Sequence, residues 1–449
     1  MESTVAANAA EPIFVGHRVE LQLLTTLRRN LKCTYCSLGV GDVLRSQKHA
    51  TYTAEQLRAF VDRHLADREV YITLYGGEPA LNTAFALELM ARFPECRFNI
   101  QTNGTLLERL PDALLARLSN FMISVDGGER TTDGFRGQGV YRKVMENVKA
   151  VRARTAATLT ARVTWWSGET TFEELDALTE TFDHVYFQFA QDEGAQTPGA
   201  VERKKRVLAQ LIDKFFASAT LYPVVPIMGA VRNKVVPSRI NELCGGMTQC
   251  RVSTNLLNVM PDGKIYPCPD MLYLPELQQG DVVANWVRKS PLQPHPAMPC
   301  RGCAAYHYCR GNCMKNMYLA YVKGEAAWRQ NVTEPTCELI RFMGEEIDRH
   351  DPEELVRPRA AAGAQAPRRR GDLRVLRSHA VRPREARSRN SRAEGPRRAG
   401  KAHARLAGCR AGGALRARVP AGGAALFIWA AVVLVAIAVL APLGFRLGG

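Results

Sequence analysis

Short apolar runs alternate with amphipathic stretches between about residues 17 and 220, and each run is followed by turn residues. Between the runs, apolar residues recur at helical spacing, as in AEQLRAFVDRHLA and YRKVMENVKAVRA. Because helices would connect them, the strands are expected to be parallel, with the loops after their carboxyl ends forming the active face of a wound sheet or partial barrel. The pattern predicts six strands of an α/β fold: Arg18–Thr25, Glu69–Leu74, Arg97–Thr102, Phe121–Val125, Thr158–Thr164 and His184–Phe189.

The pattern changes along the chain and divides it into five segments. Residues 1–16 form an N-terminal extension, and residues 17–225 carry the β/α units. Residues 240–348 are rich in cysteine, proline and glycine and predict a second, metal-organised domain. Residues 351–423 are a low-complexity sequence of Arg, Ala, Gly and Pro and are expected to be disordered. An uncharged run follows at residues 424–441.

Composition narrows the classes of function. The chain has 449 residues and 46% hydrophobic content, which is enough to bury a large core. The net charge of +16 comes from the tail, because the residues from Arg357 onward include 20 basic and three acidic side chains. Residues 1–356 therefore carry a net charge of about −1, and this argues against a nucleic-acid partner for the main body.

Two terminal features bear on location. The N-terminus, MESTVAANAAEPIF, lacks the basic and apolar regions of a signal peptide, so a cytoplasmic location is expected. Residues 424–441 approach the length of one membrane span and follow an arginine-rich flank. The run is expected to be either a membrane-spanning tail anchor or an apolar end that meets no bilayer.

Cysteine spacing is the strongest chemical signal. In a reducing compartment, regularly spaced cysteines are more typical of metal ligands than of disulfides. Eight thiolates make two sets of four, and either zinc or a [4Fe–4S] cluster can be held by four cysteines, so the spacing alone leaves both open. The eight follow the pattern Cys244-x5-Cys250-x12-Gly263-x4-Cys268, Cys300-x2-Cys303-x5-Cys309-x3-Cys313 and Cys337.

Four loops follow the first four predicted strands: NLKCTYC, LYGGEP, QTNGT and SVDGG. Each alone is typical of an ordinary strand-to-helix turn, because Gly and Asn tolerate positive φ. Together with the eight cysteines, the loops resemble the radical S-adenosylmethionine superfamily, in the branch whose SPASM domain carries two auxiliary iron–sulfur clusters and which includes peptide and protein maturases. The resemblance covers about residues 17–345.

This resemblance implies a partial (β/α)6 barrel of the TIM type over residues 17–225 and a SPASM domain over residues 240–348. The implied cofactors are S-adenosylmethionine and [4Fe–4S] clusters. The implied partners are a peptide or protein substrate and an electron donor such as flavodoxin or ferredoxin.

The resemblance also implies roles for residues in the first two loops. Cys33 and Cys36 match the second and third cysteines of the superfamily's CxxxCxxC loop, and Tyr35 matches the aromatic residue before the third. The pair Gly76 and Gly77 matches a motif whose bare backbone lets S-adenosylmethionine approach closely. In that motif the carboxylate of Glu78 receives the cofactor's ammonium group.

Further positions follow from the same resemblance. Asn103, Ser124 and Asp126 fall on loops that line the ribose and methionyl groups, and Arg162 is placed to pair with the methionyl carboxylate. The implied ligands of the first auxiliary cluster are Cys244, Cys250, Cys268 and Cys313. Those of the second are Cys300, Cys303, Cys309 and Cys337. Asp270, just after Cys268, is a candidate catalytic proton acceptor or a solvated turn carboxylate.

Arg29 stands where the first cysteine of CxxxCxxC belongs. A guanidinium has N–H donors and no usable acceptor, so it cannot replace a thiolate as an iron ligand. Cys96 and Cys409 do not supply the missing ligand by position, and Cys96 is expected to be a buried apolar residue. Either a single recent codon change or an older loss of radical chemistry would account for Arg29.

The sequence therefore predicts a radical S-adenosylmethionine/SPASM protein, a peptide- or protein-modifying maturase using a 5′-deoxyadenosyl radical, whose radical-site cluster is impaired by Arg29. Two alternatives remain open. One is a non-catalytic module that bears iron–sulfur clusters and binds a peptide. The other is a binding protein structured by zinc.

Overall fold

The computed structural model describes residues 13–36, 49–166, 168–235, 251–252, 254–272, 274–311 and 313–352. Several predictions lie outside these residues. They include the ligand roles of Cys244 and Cys250, most of the N-terminal extension, nearly all of the tail, and the apolar run at residues 424–441. Within the described residues, no helix is long and apolar enough to cross a membrane.

One ten-stranded sheet organises the described chain, in the order β10-β9-β8-β7-β1-β2-β3-β4-β5-β6. Strands β1 to β6 are parallel, as predicted, and β7 runs parallel to β1 on its other side. Strands β7 to β10 form antiparallel pairs. The strands are β1 Arg18–Thr26, β2 Glu69–Gly76, β3 Arg97–Thr102, β4 Leu118–Ser124, β5 Thr158–Trp165, β6 His184–Phe189, β7 Leu256–Val259, β8 Lys264–Tyr266, β9 Gly280–Asp281 and β10 Trp286–Val287.

The predicted amphipathic segments form helices between the strands. Capping boxes fix two of the starts, at Thr53 with Gln56 and at Thr171 with Glu174, because each pair satisfies backbone N–H groups of a first turn. The longer helices are α1 Ala54–His64, α2 Thr83–Arg92, α3 Glu129–Arg136, α4 Val140–Arg152, α5 Phe172–Thr181, α6 Pro198–Ala217, α7 Val225–Val235 and α8 Glu334–Arg349.

Shorter helical turns complete the described elements. The α-helical ones are Asp112–Leu115, Tyr306–Cys309, Met314–Met317 and Ala326–Trp328. The 3-10 turns are Pro79–Asn82, Leu107–Arg109, Pro269–Met271, Pro275–Leu277 and Pro299–Gly302, and two π-helical turns span Tyr318–Val322 and Arg329–Thr333.

The two faces of the parallel sheet differ in polarity, because successive side chains of a strand point to opposite sides. One face carries large apolar side chains such as Leu21, Ile72 and Phe121, which belong to one core cluster with helix residues. The other face carries buried polar side chains, among them Thr73 and Asn99, in register with each other. The polar face was not anticipated from the sequence.

Four of the six predicted strands have boundaries that shift by one to three residues, and further strands follow that were not predicted. The fourth strand begins at Leu118 instead of Phe121, because Leu118 already pairs with Phe98 of β3. Residues 256–287, which carried no predicted strand, extend the sheet beyond β1. Four of these residues pair with β1, and the short length of β7 to β10 explains why no clear alternation marks them.

Candidate functional site

The cysteine loop, defined here as residues 27–36, follows β1 and ends in a β-turn. The N–H of Cys36 donates to the carbonyl of Cys33 at 3.2 Å, and the N–H of Thr34 donates to the carbonyl of Phe135 at 2.8 Å. Both cysteines are half-buried free thiols. Arg29 lies inside the same loop, and its Nη1 donates to the sulfur of Cys36 at 3.2 Å.

Gly76 and Gly77 hold this loop against the end of β2. The N–H groups of Gly77 and Glu78 donate to the carbonyls of Thr26 and Arg28, each at 2.8 Å. A Cβ at Gly76 would lie 2.2 Å from the Thr26 carbonyl oxygen, and one at Gly77 would lie 2.2 Å from that of Arg28. Because Gly76 and Gly77 have no side chains, the end of β2 can contact the backbone of the cysteine loop. The close approach of a cofactor to these two glycines stays a prediction.

Glu78 is fully buried and accepts three hydrogen bonds. Its Oε1 accepts from Thr102 Oγ1 at 2.7 Å and from the N–H of Ala80 at 3.0 Å. Its Oε2 accepts from the N–H of Asn103 at 2.8 Å. Burial raises the pKa of Glu78, and these hydrogen bonds oppose the increase. Since a carboxylate has about four acceptor positions, Oε2 keeps one for a further donor.

Asp126 anchors the turn that carries the two cysteines. It is fully buried, and Arg136 donates to both its oxygens, from Nε at 2.8 Å and Nη2 at 2.9 Å. The hydroxyl of Tyr35 donates at 2.8 Å and the N–H of Thr164 at 3.0 Å. The Tyr35 ring also stacks on Trp166, with centroids 5.7 Å apart.

The cofactor-lining role expected for Asp126 stays a prediction. Four protein N–H and O–H donors use the acceptor positions of its carboxylate. The carboxylate thereby fixes Tyr35 and the cysteine loop. Burial raises the pKa of the Cys33 thiol, and the positive charge of Arg136 opposes this increase.

The other predicted cofactor contacts lie on the loop after β3 and on strands β4 and β5. The amide of Asn103 donates to Asn30 of the cysteine loop at 2.8 Å. Ser124 is half-buried and lies in register with Arg162 of β5. The guanidinium of Arg162 donates to Gln188 and lies over the Tyr186 ring, 4.8 Å from its centroid.

Tyr75 lies close to groups from three parts of the chain. Burial raises the pKa of its phenol, and the charges of Asp270, Cys268 and Cys36 add to the increase while Arg162 opposes it. The tertiary structure therefore brings together the cysteine loop, the turn at Asp270 and the end of β5. The proton-acceptor role of Asp270 stays a prediction.

Four cysteines line one apolar pocket in the region after β10: Cys300, Cys303, Cys309 and Cys337. Its empty space is about 290 Å³, part of it open to solvent, and Ala305, Tyr306, Gly311 and Ile340 complete the lining. Burial raises the pKa of the Cys309 thiol well above its usual range, and the charges of the other three cysteines add to the increase. Within the described chain, no three His, Cys, Asp or Glu side chains converge closely enough to hold a single metal ion.

The described ligands predicted for a first auxiliary cluster are Cys268 and Cys313. Cys268 precedes the 3-10 turn at Pro269–Met271, and Cys313 precedes the short helix Met314–Met317. Both are half-buried. The remaining two, Cys244 and Cys250, lie outside the described residues.

The loops that meet at the carboxyl edge of this sheet match a known family. Residues 26–179 match the family model of the Radical SAM superfamily. The matched segment runs from the end of β1 into α5, and it includes the cysteine loop and the buried Glu78 and Asp126. No curated protein sequence matches the chain.

Solved structures share the fold. The structure of hexahistidine-tagged anSMEcpe with bound AdoMet has a TM-score of 0.56 and 18% identity, covering 74% of this chain and 98% of that chain. Native anSMEcpe with bound AdoMet and Cp18Cys peptide has a TM-score of 0.53 and 18% identity, with 74% and 99% covered. Streptococcus suis SuiB bound to precursor peptide SuiA has a TM-score of 0.50 and 15% identity, with 70% and 75% covered.

The two cysteine groups differ in how they fit iron–sulfur clusters. In the segment that matches the family model, Cys33 and Cys36 share their loop with a guanidinium that donates to sulfur, so the third thiolate is missing and a three-cysteine cluster does not fit. The four-cysteine pocket supplies four sulfurs around an apolar space, which suits a [4Fe–4S] cluster.

Sequence reasoning missed two buried basic side chains beside these loops. Arg136 neutralises Asp126, and Lys204 is fully buried. The ammonium of Lys204 donates to the carbonyls of Trp166 and Ala195 and to the side chain of Gln196, at 2.8–2.9 Å. It thus joins the loops after β5 and β6. A lysine amid the apolar positions of α6 was the available signal.

Proposed function

We propose that this chain is a radical SAM/SPASM protein of the peptide-modifying type, whose radical centre is impaired by Arg29. The match over residues 26–179 supports the radical SAM part of the proposal. The similar structures of anSMEcpe and SuiB, each with a bound peptide, support a peptide or protein as the substrate. An electron donor such as flavodoxin or ferredoxin belongs to the same proposal.

The four-cysteine pocket carries the SPASM part of the proposal. Four thiolates of a [4Fe–4S] cluster each bind a different iron, so they lie farther apart than four thiolates that share one zinc ion. The described cysteines surround an apolar space without converging on one ion position, which favours a cluster over zinc. Cys300, Cys303, Cys309 and Cys337 would hold it.

Two groups would bind S-adenosylmethionine at the carboxyl edge of the sheet. Glu78 Oε2 keeps one acceptor position, which suits the cofactor's ammonium group. Arg162 lies on β5 with donors beyond those used by Gln188 and the Val163 carbonyl, which suits a carboxylate.

Cluster content tests the SPASM part. We expect anaerobically reconstituted protein to hold about eight irons, from two sets of four cysteines. Cys309→Ser should lose about four of them and lower the thermal midpoint, because cluster binding and folding are coupled in such loop-rich regions. Cys96→Ser is the matched control, since Cys96 is buried away from the pocket and should keep all the iron. Stoichiometric zinc in place of iron would reject the proposal.

A second candidate function follows from the contact between Arg29 and Cys36. With two thiolates and a guanidinium in the loop, the chain would act as a non-catalytic, cluster-bearing peptide-binding module.

Arg29→Cys separates the two candidates. The variant should gain about four irons and form 5′-deoxyadenosine with dithionite and S-adenosylmethionine, while the parent forms little. Arg28→Cys introduces the same side chain one position away and should gain neither. Parent protein that cleaves S-adenosylmethionine as fast as Arg29→Cys would show that another residue completes the site. An inactive Arg29→Cys that binds peptide would favour the non-catalytic module.

A further inference from the structure

We propose that Cys33 and Cys36 form a redox-active dithiol that exchanges with low-molecular-weight disulfides such as glutathione disulfide. This function is separate from radical chemistry and does not depend on a cluster or on S-adenosylmethionine. It follows from what the loop contains: two thiols in a Cys-x-x-Cys turn and an arginine on one sulfur.

The turn brings the two cysteines within disulfide range. The hydrogen bond from the Cys36 N–H to the Cys33 carbonyl, at 3.2 Å, closes a β-turn. In such turns the first and fourth Cα atoms lie within about 7 Å, and disulfides span Cα separations of about 4.4–6.8 Å. Both residues are half-buried thiols, so a small disulfide can reach them.

The surrounding contacts hold the turn in this form. Thr34 between the cysteines is bonded to the Phe135 carbonyl, and Tyr35 is held by Asp126 and by stacking on Trp166. Because the turn is fixed before reaction, joining the two sulfurs in a disulfide costs little chain entropy.

Arg29 gives the pair a polarity. Its Nη1 donates to the sulfur of Cys36 at 3.2 Å, so the guanidinium lies beside the sulfurs over which the transition state of exchange spreads its negative charge. The neighbouring Arg28 is exposed and has no described side-chain contact with either sulfur, so it serves as a matched control.

The reaction is balanced in two exchanges. The Cys36 sulfur attacks one sulfur of the low-molecular-weight disulfide, forms a mixed disulfide and releases one small thiol. The Cys33 sulfur then attacks Cys36 in the mixed disulfide, closes the Cys33–Cys36 bond and releases the second small thiol. The two thiol protons leave on the two released thiols, so the protein pair is oxidised and the small disulfide is reduced.

Alkylation mass spectrometry tests the proposal on the full-length, anaerobically purified protein. Samples are equilibrated in buffers of reduced and oxidised glutathione, quenched in acid, alkylated and digested with trypsin. The peptide of residues 33–45 contains both cysteines and no other. We expect it to convert to an unlabelled form that is two hydrogens lighter. Cys33→Ser and Cys36→Ser should both stop at the mixed disulfide or the single label.

The arginine variants test the mechanism. Arg29→Met should slow exchange at least about tenfold, because it removes a hydrogen bond that stabilises the charged transition state. Arg28→Met should leave the rate unchanged. Buried Cys96 should stay unmodified in every native sample, which reports that the fold is intact.

Two results would overturn the proposal. One is a 33–45 peptide that carries two labels at every glutathione ratio. The other is protection of both cysteines from glutathione disulfide and from alkylation until an iron chelator is added, which would mean that iron holds them. Iron measured in the same samples reports on the four-cysteine pocket independently, so failure of the dithiol leaves the proposed function to its own test.

Discussion

Removing Arg136 should destabilise the protein strongly, because its guanidinium neutralises the buried carboxylate of Asp126. Arg136 is 6% exposed and Asp126 fully buried, and the two form a bidentate pair at 2.8 and 2.9 Å. Breaking one side of such a buried pair costs about 3–5 kcal/mol. In Arg136→Met the carboxylate would keep only the Tyr35 hydroxyl and the Thr164 N–H as donors. We therefore expect a loss of about 4 kcal/mol in the free energy of unfolding.

Urea unfolding followed by circular dichroism measures this loss. Arg130→Met is the matched control, since Arg130 is exposed on the same helix and should change stability by less than about 0.5 kcal/mol. The double variant Arg136→Met with Asp126→Asn should lose clearly less free energy of unfolding than the two single variants lose in sum. The reason is that the double variant leaves no buried charge unpaired. An Arg136→Met cost below about 1 kcal/mol, or strict additivity in the double variant, would refute the reasoning.

Three further outcomes are expected. Gly77→Ala should destabilise the cysteine loop by about 1–3 kcal/mol in urea unfolding, because its Cβ would lie 2.2 Å from the Arg28 carbonyl oxygen, whereas Gly134→Ala, with no atom within 4 Å, should be neutral or stabilising. Equal effects of the two glycine changes would reject the close approach. Burial raises the pKa of Glu20 from 4.5 to about 7, so the folded state holds this proton more tightly than the unfolded state does. The free energy of unfolding should therefore fall by about 3 kcal/mol as the pH rises from 4.5 through 7. Glu20→Gln should remove that part of the pH dependence in thermal unfolding, and an unchanged pH profile would contradict it. Deleting residues 357–449 should leave the iron content and the thermal midpoint of the core unchanged. If residues 424–441 anchor the chain, the full-length protein should sediment with membranes and the deleted form should not.

Local patterns explain how much of the fold the sequence predicted. The alternation in segments such as Thr158–Thr164 and the helical spacing in Phe172–Thr181 depend on residues two to four positions apart, so they can be read along the chain. All six predicted strands are present, with boundaries shifted by a few residues. The short strands β7 to β10 were missed, because two to four residues carry too little pattern, and their pairing with β1 depends on tertiary contacts.

Part of the candidate site was also available before the structure. Spacing predicted eight cysteine ligands in two sets of four, and the family resemblance, not the spacing, implied that Cys300, Cys303, Cys309 and Cys337 form one set. The structure places these four around one pocket. Arg29 was conspicuous because a fixed ligand spacing makes one wrong residue visible. Its hydrogen bond to Cys36 required the folded loop.

Only the tertiary structure decided which residues from distant parts of the chain contact one another in the candidate site. Tyr35 and Asp126 lie 91 residues apart and meet because β1, β4 and their loops end at the same edge of the sheet. Gly76 and Gly77 were associated with a cofactor by resemblance, but their bare backbones lie against the carbonyls of the cysteine loop. The sequence pattern predicts local secondary structure, because that structure depends on residues close together in the chain. Burial, charge pairing and close backbone approach depend on which strands lie side by side, and that order is fixed only when the sheet forms.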